Sequence, residues 1–461
     1  MSTAAPFSIS AETRRILALA WPVALTSLNW TILHLTDVIV VGLVSTDQVA
    51  ALGASRSLTF VTIVTGLAWL SGVLVFVSRA DGAGDLKRTG GVLREGLALA
   101  LLLGSVSALL LSLFAAPMLA GMGVADALVG PAARVVQIMA LSYPFQMVIV
   151  AASFFLEGVS RPRRVMTINL LMLPFNAVLA WAMSGGHLGF PVMGAVGAAT
   201  ATAIASAFGA VGMIGAVWTL PRAVARGVHD FSRAAWRDVP AGAARLALFG
   251  VVPAIASGLE LAGFSILIAL STQLGDVTTH AFQIVFSIHN VTFGVALGLG
   301  SAAGVRAGNA VGEGDAAQAI PRTLIAATVA ALATALLAVI LVVARAPLVA
   351  AFPAVAGVHT LALAMLPVWA PFILFDGVQV VFVYALRSLG DQVVAGANSI
   401  IAFFLVTGGA GWWMLHHGVG PMGLVYASGL GMVAATLLHG ARFWMISAAL
   451  RRRSSAPASS N

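Results

Sequence analysis

Twelve runs of apolar residues, each near the ~20 residues that a helix needs to cross a bilayer, leave this chain few ways to fold. They lie at about 16–42, 49–78, 92–114, 128–156, 165–184, 193–220, 241–272, 278–305, 320–344, 358–386, 393–415 and 420–447. In hydrocarbon every backbone N–H and C=O must be paired internally, so runs of this length become membrane helices. Of the 461 residues, 60% are hydrophobic and only 9% charged, which no soluble domain matches. The expected fold is an all-α integral membrane protein with twelve transmembrane helices, the lipid bilayer its constant partner.

The formal charge of +8 could indicate nucleic acid. The arginines, however, sit in short loops between apolar runs, where they act as orientation signals, so nucleic acid is set aside. Arg14 and Arg15 precede the first span, and Arg79, Lys87 and Arg88 lie between spans 2 and 3. Arg161, Arg163 and Arg164 lie between spans 4 and 5, and Arg222, Arg226, Arg233 and Arg237 between spans 6 and 7. Arg306 and Arg322, Arg387, and Arg442 with Arg451–Arg453 continue the alternation. The opposite loops carry almost none; Arg56, Arg134 and Arg345 are expected to snorkel from helix ends. A multi-pass protein of the cell (inner) membrane follows, with both termini in the cytoplasm. Cysteine is absent, so no disulfide or thiolate-bound metal is expected. The first apolar run has no cleavage site behind it, so it reads as a span rather than a signal peptide.

The two halves are copies. At an offset of 230, Ala80-Asp81-Gly82-Ala83-Gly84-Asp85 falls on Ala310-Val311-Gly312-Glu313-Gly314-Asp315, Ala51 on Ala281, and Leu156 on Leu386. Six spans per copy make a parallel repeat, related by a pseudo-two-fold axis along the membrane normal. The expected division is an N-terminal lobe over 1–220, a cytoplasmic linker over 221–240, a C-terminal lobe over 241–450, and a disordered tail over 451–461. Two such bundles can rock about a shared cleft and open it to alternate sides.

Three of the sixteen acids lie deep within runs: Asp37, Glu260 and Asp376. A carboxylate at mid-span costs roughly 2.5–3.5 kcal/mol on insertion scales, so its presence points to a cation or proton site. The competing explanation is a structural acid hydrogen-bonded to a neighbouring helix. At the 230 offset Asp37 faces Leu267, Glu260 faces Trp30 and Asp376 faces Gln146, so the copies share a scaffold and differ in charge. Residues three, four and seven apart share a helix face. That groups Trp30 and His34 with Asp37, Pro253, Ser257 and Phe264 with Glu260, and Phe372 and Gln379 with Asp376. Aromatics beside a carboxylate suit an organic cation, although ordinary packing accounts for any single ring. His34 reads more readily as a hydrogen-bonded core residue than as a proton carrier. Gln283 and Asn290 share a face of span 8 and either line the cleft or bond between helices. Glu260 and Asp376 facing one cavity would hold a proton or Na⁺, and an arriving cationic substrate would compete for them, coupling opposed fluxes. No GxxxxGK[ST], HExxH or GxSxG motif occurs, so neither an enzyme nor an ATP-driven pump is expected, and no cofactor beyond a coupling ion.

On these residues the chain resembles the multidrug and toxic compound extrusion (MATE) family, and within it the NorM-like branch. The likeness is carried by Thr36-Asp37 through Leu52-Gly53, by Ala281-Phe282-Gln283-Ile284 through Asp315, and by Asp376-Gly377-Val378-Gln379 with Leu386-Arg387-Ser388-Leu389-Gly390-Asp391. The resemblance implies two six-helix lobes, a central cleft, and antiport of cationic or amphiphilic drugs against H⁺ or Na⁺, with no obligate protein partner. It implies that Asp37, Glu260 and Asp376 carry coupling and substrate binding, and that Glu260 and Asp376 would be the metal ligands in a Na⁺-coupled protein. Asp37, Asn176 and Thr202 match a first-lobe site used by the other bacterial branch, but an Asp of that site is here Ala180. A Tyr often one turn before the second-lobe Asp is here Phe372, which favours protons over Na⁺. The alternative is a flippase for a lipid-linked or amphipathic anion. Such a cleft needs mid-span Arg or Lys, and the spans as drawn contain none. A scaffold or receptor without transport leaves the buried acids and the duplication without a reason.

Overall fold

The computed structural model describes residues 7–455, without the side chains of Trp30 and of residues 453–455. In chain order the elements are α1 Ile9–Gly42, α2 Thr46–Leu70, α3 Gly72–Gly82, α4 Leu86–Gly121, α5 Asp126–Ala140, α6 Tyr143–Gly158, α7 Pro162–Gly185, α8 Gly194–Trp218 and α9 Arg233–Arg237. They continue with α10 Val239–Gln273, α11 Asp276–Gly312, a 3₁₀ turn, α12 Ala319–Val343, α13 Arg345–Ala350, α14 Ala356–Trp369, α15 Phe372–Leu389, α16 Gln392–Ser399, a π-helical stretch Ile400–Gly408, α17 Gly409–His416 and α18 Met422–Ser455. Among the described residues, eleven helices are long and apolar enough to cross a membrane, or twelve when the bent pair α5–α6 counts as one span.

Three spans expected as single helices are interrupted, the one over α2 and α3 only at Ser71, so that Thr46–Gly82 still forms one span. α5 and α6 meet at 49°, where Ser142 precedes α6 and Pro144, lacking an N–H, sits in its first turn. The run expected over 358–386 divides into α14 and α15, with Pro371 at the start of α15. At the other end of the chain α18 continues to Ser455, past the point where a disordered tail was expected to begin. Residues 456–461 of that tail lie outside the described residues.

The chain forms two compact units. One comprises Thr26–Val77 and Asp85–Ala254; the other comprises the residues up to Leu25, Ser78–Gly84 and everything from Ile255 onward. Each helix that opens a repeat, α1 and α10, therefore changes unit partway along, a few residues beyond Pro22 and Pro253. In the first unit α7 packs on α8, and α4 on α5 and α6. In the second, α11 packs most extensively on α15. That approach requires a glycine, since a Cβ at Gly300 would collide with the side chain of Val380. The core of this unit gathers Phe282, Met365, Trp369 and Phe403.

The outward faces are oily. Leu101, Leu102, Leu109 and Leu113 of α4 and Leu332 and Leu336 of α12 are all exposed, an arrangement stable in lipid and untenable in water. The duplicated loop motifs turn alike, Gly84 at φ +71° and Gly314 at φ +80°, a conformation open to glycine at no steric cost. Both are turns, and Asp85 caps α4 by accepting from the Arg88 N–H at 2.9 Å.

Candidate functional site

The first unit holds a cavity of about 40 Å³. At roughly 10–15 Å³ per water, that is room for a few waters. Asn29, His34 and Asp37 reach it from α1, Thr59 from α2, Tyr143 and Gln146 from α6, Asn169 from α7, and Thr202 and Ser206 from α8. Asp37 is buried at its edge, and both carboxylate oxygens are served. The Asn176 amide donates to Oδ1 at 3.1 Å and the Thr202 hydroxyl to Oδ2 at 3.4 Å. Asn29 donates to Asn169 Oδ1 at 3.3 Å, and Tyr143 donates to the Thr59 carbonyl at 2.8 Å. The expected trio of Asp37, Asn176 and Thr202 is thus brought together, with His34 on the same wall. Ala180 is fully buried and contributes no polar atom.

Arg56 departs from expectation. It lies about three turns into α2 and is half-buried rather than snorkelling from a helix end. Its Nη2 donates to the His34 carbonyl at 2.6 Å, and its charge acts on Asp37. A guanidinium at this depth needs such partners. It stands in the first third of the span Thr46–Gly82, deeper than the helix end where its sequence position put it.

The second unit gathers the other two acids. Asp376 on α15 is 3% exposed. Its Oδ1 accepts from Gln379 Nε2 at 3.1 Å, one turn along the same helix. Its Oδ2 is buried without a hydrogen-bond partner among the described residues. The nearest group is His289 Nε2 of α11, 3.6 Å away. Glu260 on α10 is half-buried, close enough to Asp376 to repel it and to Arg387 to be attracted. No hydrogen bond to its carboxylate occurs among the described residues.

The remaining residues fall as follows. Phe372 packs on the core beneath Asp376 and covers Gly429 of α18. Gln283 and Asn290 do share a face of α11, and it is an exposed one; neither meets Asp376. The side chain of Trp30 lies outside the described residues. His289 was not singled out from sequence, although a signal existed: it is in helical phase with the buried Phe282, Val285 and Thr292 rather than with Gln283 and Asn290.

The internal repeat ties the two clusters together. At the 230 offset His289 corresponds to Thr59, Asp376 to Gln146 and Gln379 to Ile149. All three first-half counterparts line the cavity of the first unit. The second-unit cluster therefore stands at positions where the fold makes a cavity wall.

The MatE family model matches residues 22–182 and again 253–410, two segments whose starts differ by 231 and so follow the repeat. A probable multidrug resistance protein NorM of Caulobacter vibrioides is 33% identical over 89% of this chain and 86% of its own length. Multidrug resistance protein PmpM of Pseudomonas aeruginosa is 27% identical over 93% of this chain and 91% of its own. Among solved structures, the eukaryotic MATE transporter AtDTX14 superposes with a TM-score of 0.85 at 18% identity, covering 96% of this chain and 99% of that one. An outward-facing multidrug resistance MATE transporter gives a TM-score of 0.84 at 19% identity, covering 96% and 97%. The doubled match over most of the sequence, on helices that fold as those transporters do, makes this chain a member of the MATE family.

Proposed function

We propose that the chain is a secondary multidrug efflux antiporter. It exports cationic or amphiphilic organic compounds and takes up H⁺ or Na⁺ by alternating access, with Asp37, Glu260 and Asp376 occupied in turn. The observation that carries this reading is the incomplete bonding of the second-unit acids. Asp376 Oδ2 is buried with no hydrogen-bond partner among the described residues, and Glu260 lies beside it with none. A purely structural acid is held by its neighbours; these two are left for a visiting cation. The multidrug resistance names of the bacterial relatives support the substrate class.

Asp37 contributes differently. Its carboxylate is already hydrogen-bonded, and the cavity beside it has room for a few waters. Arg56 does not convert the site into one for amphipathic anions. Its guanidinium is engaged by the His34 carbonyl and offset by Asp37. The arginine alternation along the loops supports an inner-membrane protein with both termini in the cytoplasm.

The test is reconstitution in liposomes with separate pH and Na⁺ gradients, following efflux of ethidium by wild type, Glu260→Gln and Asp376→Asn. Both variants insert and lose gradient-driven efflux. Unchanged rates in both would remove these carboxylates from the mechanism.

A further inference from the structure

We propose that His289 selects the coupling ion, by crowding the one free oxygen of Asp376 that a metal ion would need. The inference rests on the antiport reading above and concerns which cation drives it. His289 and Asp376 are both buried, at 5% and 3% exposure, with His289 Nε2 3.6 Å from Oδ2. The other carboxylate oxygen accepts from the Gln379 amide. The third polar group nearby is the indole of Trp369 on α14, a donor only. Its ring centroid lies 5.3 Å from that of His289, and its Nε1 is buried with no partner among the described residues. The rings of Phe286 and Phe293 flank the imidazole and add no oxygen. Phe372, one turn before Asp376, has no hydroxyl. Of the charged groups on the packed elements, Asp376 of α15 faces His289, and Glu260 of α10 faces Asp376.

Apart from the Glu260 carboxylate, the side chains named around Asp376 thus offer no oxygen directed at its free Oδ2. A hard cation such as Na⁺ is held by several oxygens at once, from carboxylates, carbonyls or water. The Gln379 amide takes up one oxygen of Asp376, and the imidazole stands over the other, in the space that a coordinated metal ion would have to enter. A proton needs none of those oxygens, because it binds one carboxylate oxygen directly. The repeat shows that the choice of residue is local to this half. Position 289 faces the same kind of cavity wall that Thr59 lines in the first half, where a hydroxyl oxygen stands in place of the ring. An imidazole here trades an oxygen for a nitrogen at the site's centre.

The full-length protein is compared with His289→Gln and His289→Ser, which put an oxygen acceptor in place of the ring, and with Asp376→Asn. The first readout is the thermal unfolding midpoint in lipid nanodiscs when choline is exchanged for Na⁺ at constant ionic strength. Wild type is unmoved. His289→Gln or His289→Ser rises by about 2–4 °C, as expected for a ligand that binds only the folded state. The second readout is ethidium efflux from liposomes under a pH gradient or a Na⁺ gradient alone. Wild type runs on the pH gradient, and the His289 variants gain Na⁺-driven efflux. Stabilisation of wild type by Na⁺ that disappears in Asp376→Asn overturns the proposal whatever the variants do, as do His289 variants that transport with unchanged ion preference. If Asp376→Asn behaves as wild type under both gradients, the antiport reading itself fails, an outcome distinct from a mere error about His289.

Discussion

Arg306 reaches Glu12 across 294 residues of sequence and grips it with both ends of its guanidinium, Nε to Oε1 at 2.5 Å and Nη2 to Oε2 at 2.8 Å. The pair is buried, with Glu12 only 4% exposed, and it fastens the start of α1 to α11 within one compact unit. Asn309 extends it, accepting from Arg306 Nη1 at 3.2 Å and donating to the Ser78 carbonyl at 2.9 Å. Glu12→Gln leaves a buried guanidinium without its counter-charge and should cost about 3–5 kcal/mol of stability. Combining Glu12→Leu with Arg306→Met should recover most of that loss. Denaturant unfolding of the purified single and double variants checks both statements.

Gly263 of α10, one turn from Glu260, lies against the π-helical stretch, and a Cβ there would run into the Phe403 carbonyl. Backbone cannot move aside as a side chain can. Gly263→Ala should destabilise by about 1–3 kcal/mol and lower the amount of folded protein recovered from membranes. Gly409→Ala, next to the same stretch with open space around it, is the matched control and should be near neutral.

Asp37 depends on Asn176 and Thr202 for its two hydrogen bonds. Asn176→Ala should cost about 1.5–3 kcal/mol, the range for a bond to a charged group. The same substitution in an Asp37→Asn background should cost clearly less, because the two effects are not additive across a direct contact. A double-mutant cycle on unfolding free energies measures the difference.

Arg56 places a positive charge near Asp37. Arg56→Gln should lower KM for a monovalent organic cation by roughly fivefold, equivalent to about 1 kcal/mol of relieved repulsion. Arg56→Lys keeps the charge and should leave KM nearly unchanged. Initial rates of ethidium efflux at graded concentrations in liposomes check it. A KM that follows the loss of the His34 carbonyl contact rather than the charge would refute the electrostatic account.

The membrane spans, the repeat and the three deep acids were legible because each depends on composition over a long window or on one costly residue in oil. Side-chain direction was less accessible. Gln283 and Asn290 are polar and lie on one exposed face, while His289 is buried beside Asp376. A difference of one residue rotates a helical position by about 100°, so a polar run cannot announce which member meets a partner on another helix. Glu12 stands in the first turn of α1, where nothing local announces a partner in the other half of the sequence. Arg56 looked like a snorkelling residue because α2 begins earlier than its apolar run suggested, which places the arginine deeper. In each case the deciding fact was a contact between elements distant in sequence.

The breaks before α6 and before α15 share one place in the repeat. The interruption before α6 falls at Leu141 and that before α15 at Pro371, which are 230 residues apart and hence the same position in the repeat. The carboxylates do not repeat in this way, since Asp37, Glu260 and Asp376 match Leu267, Trp30 and Gln146 at the same offset. The break thus belongs to the repeating unit itself, whereas each carboxylate belongs to one copy alone.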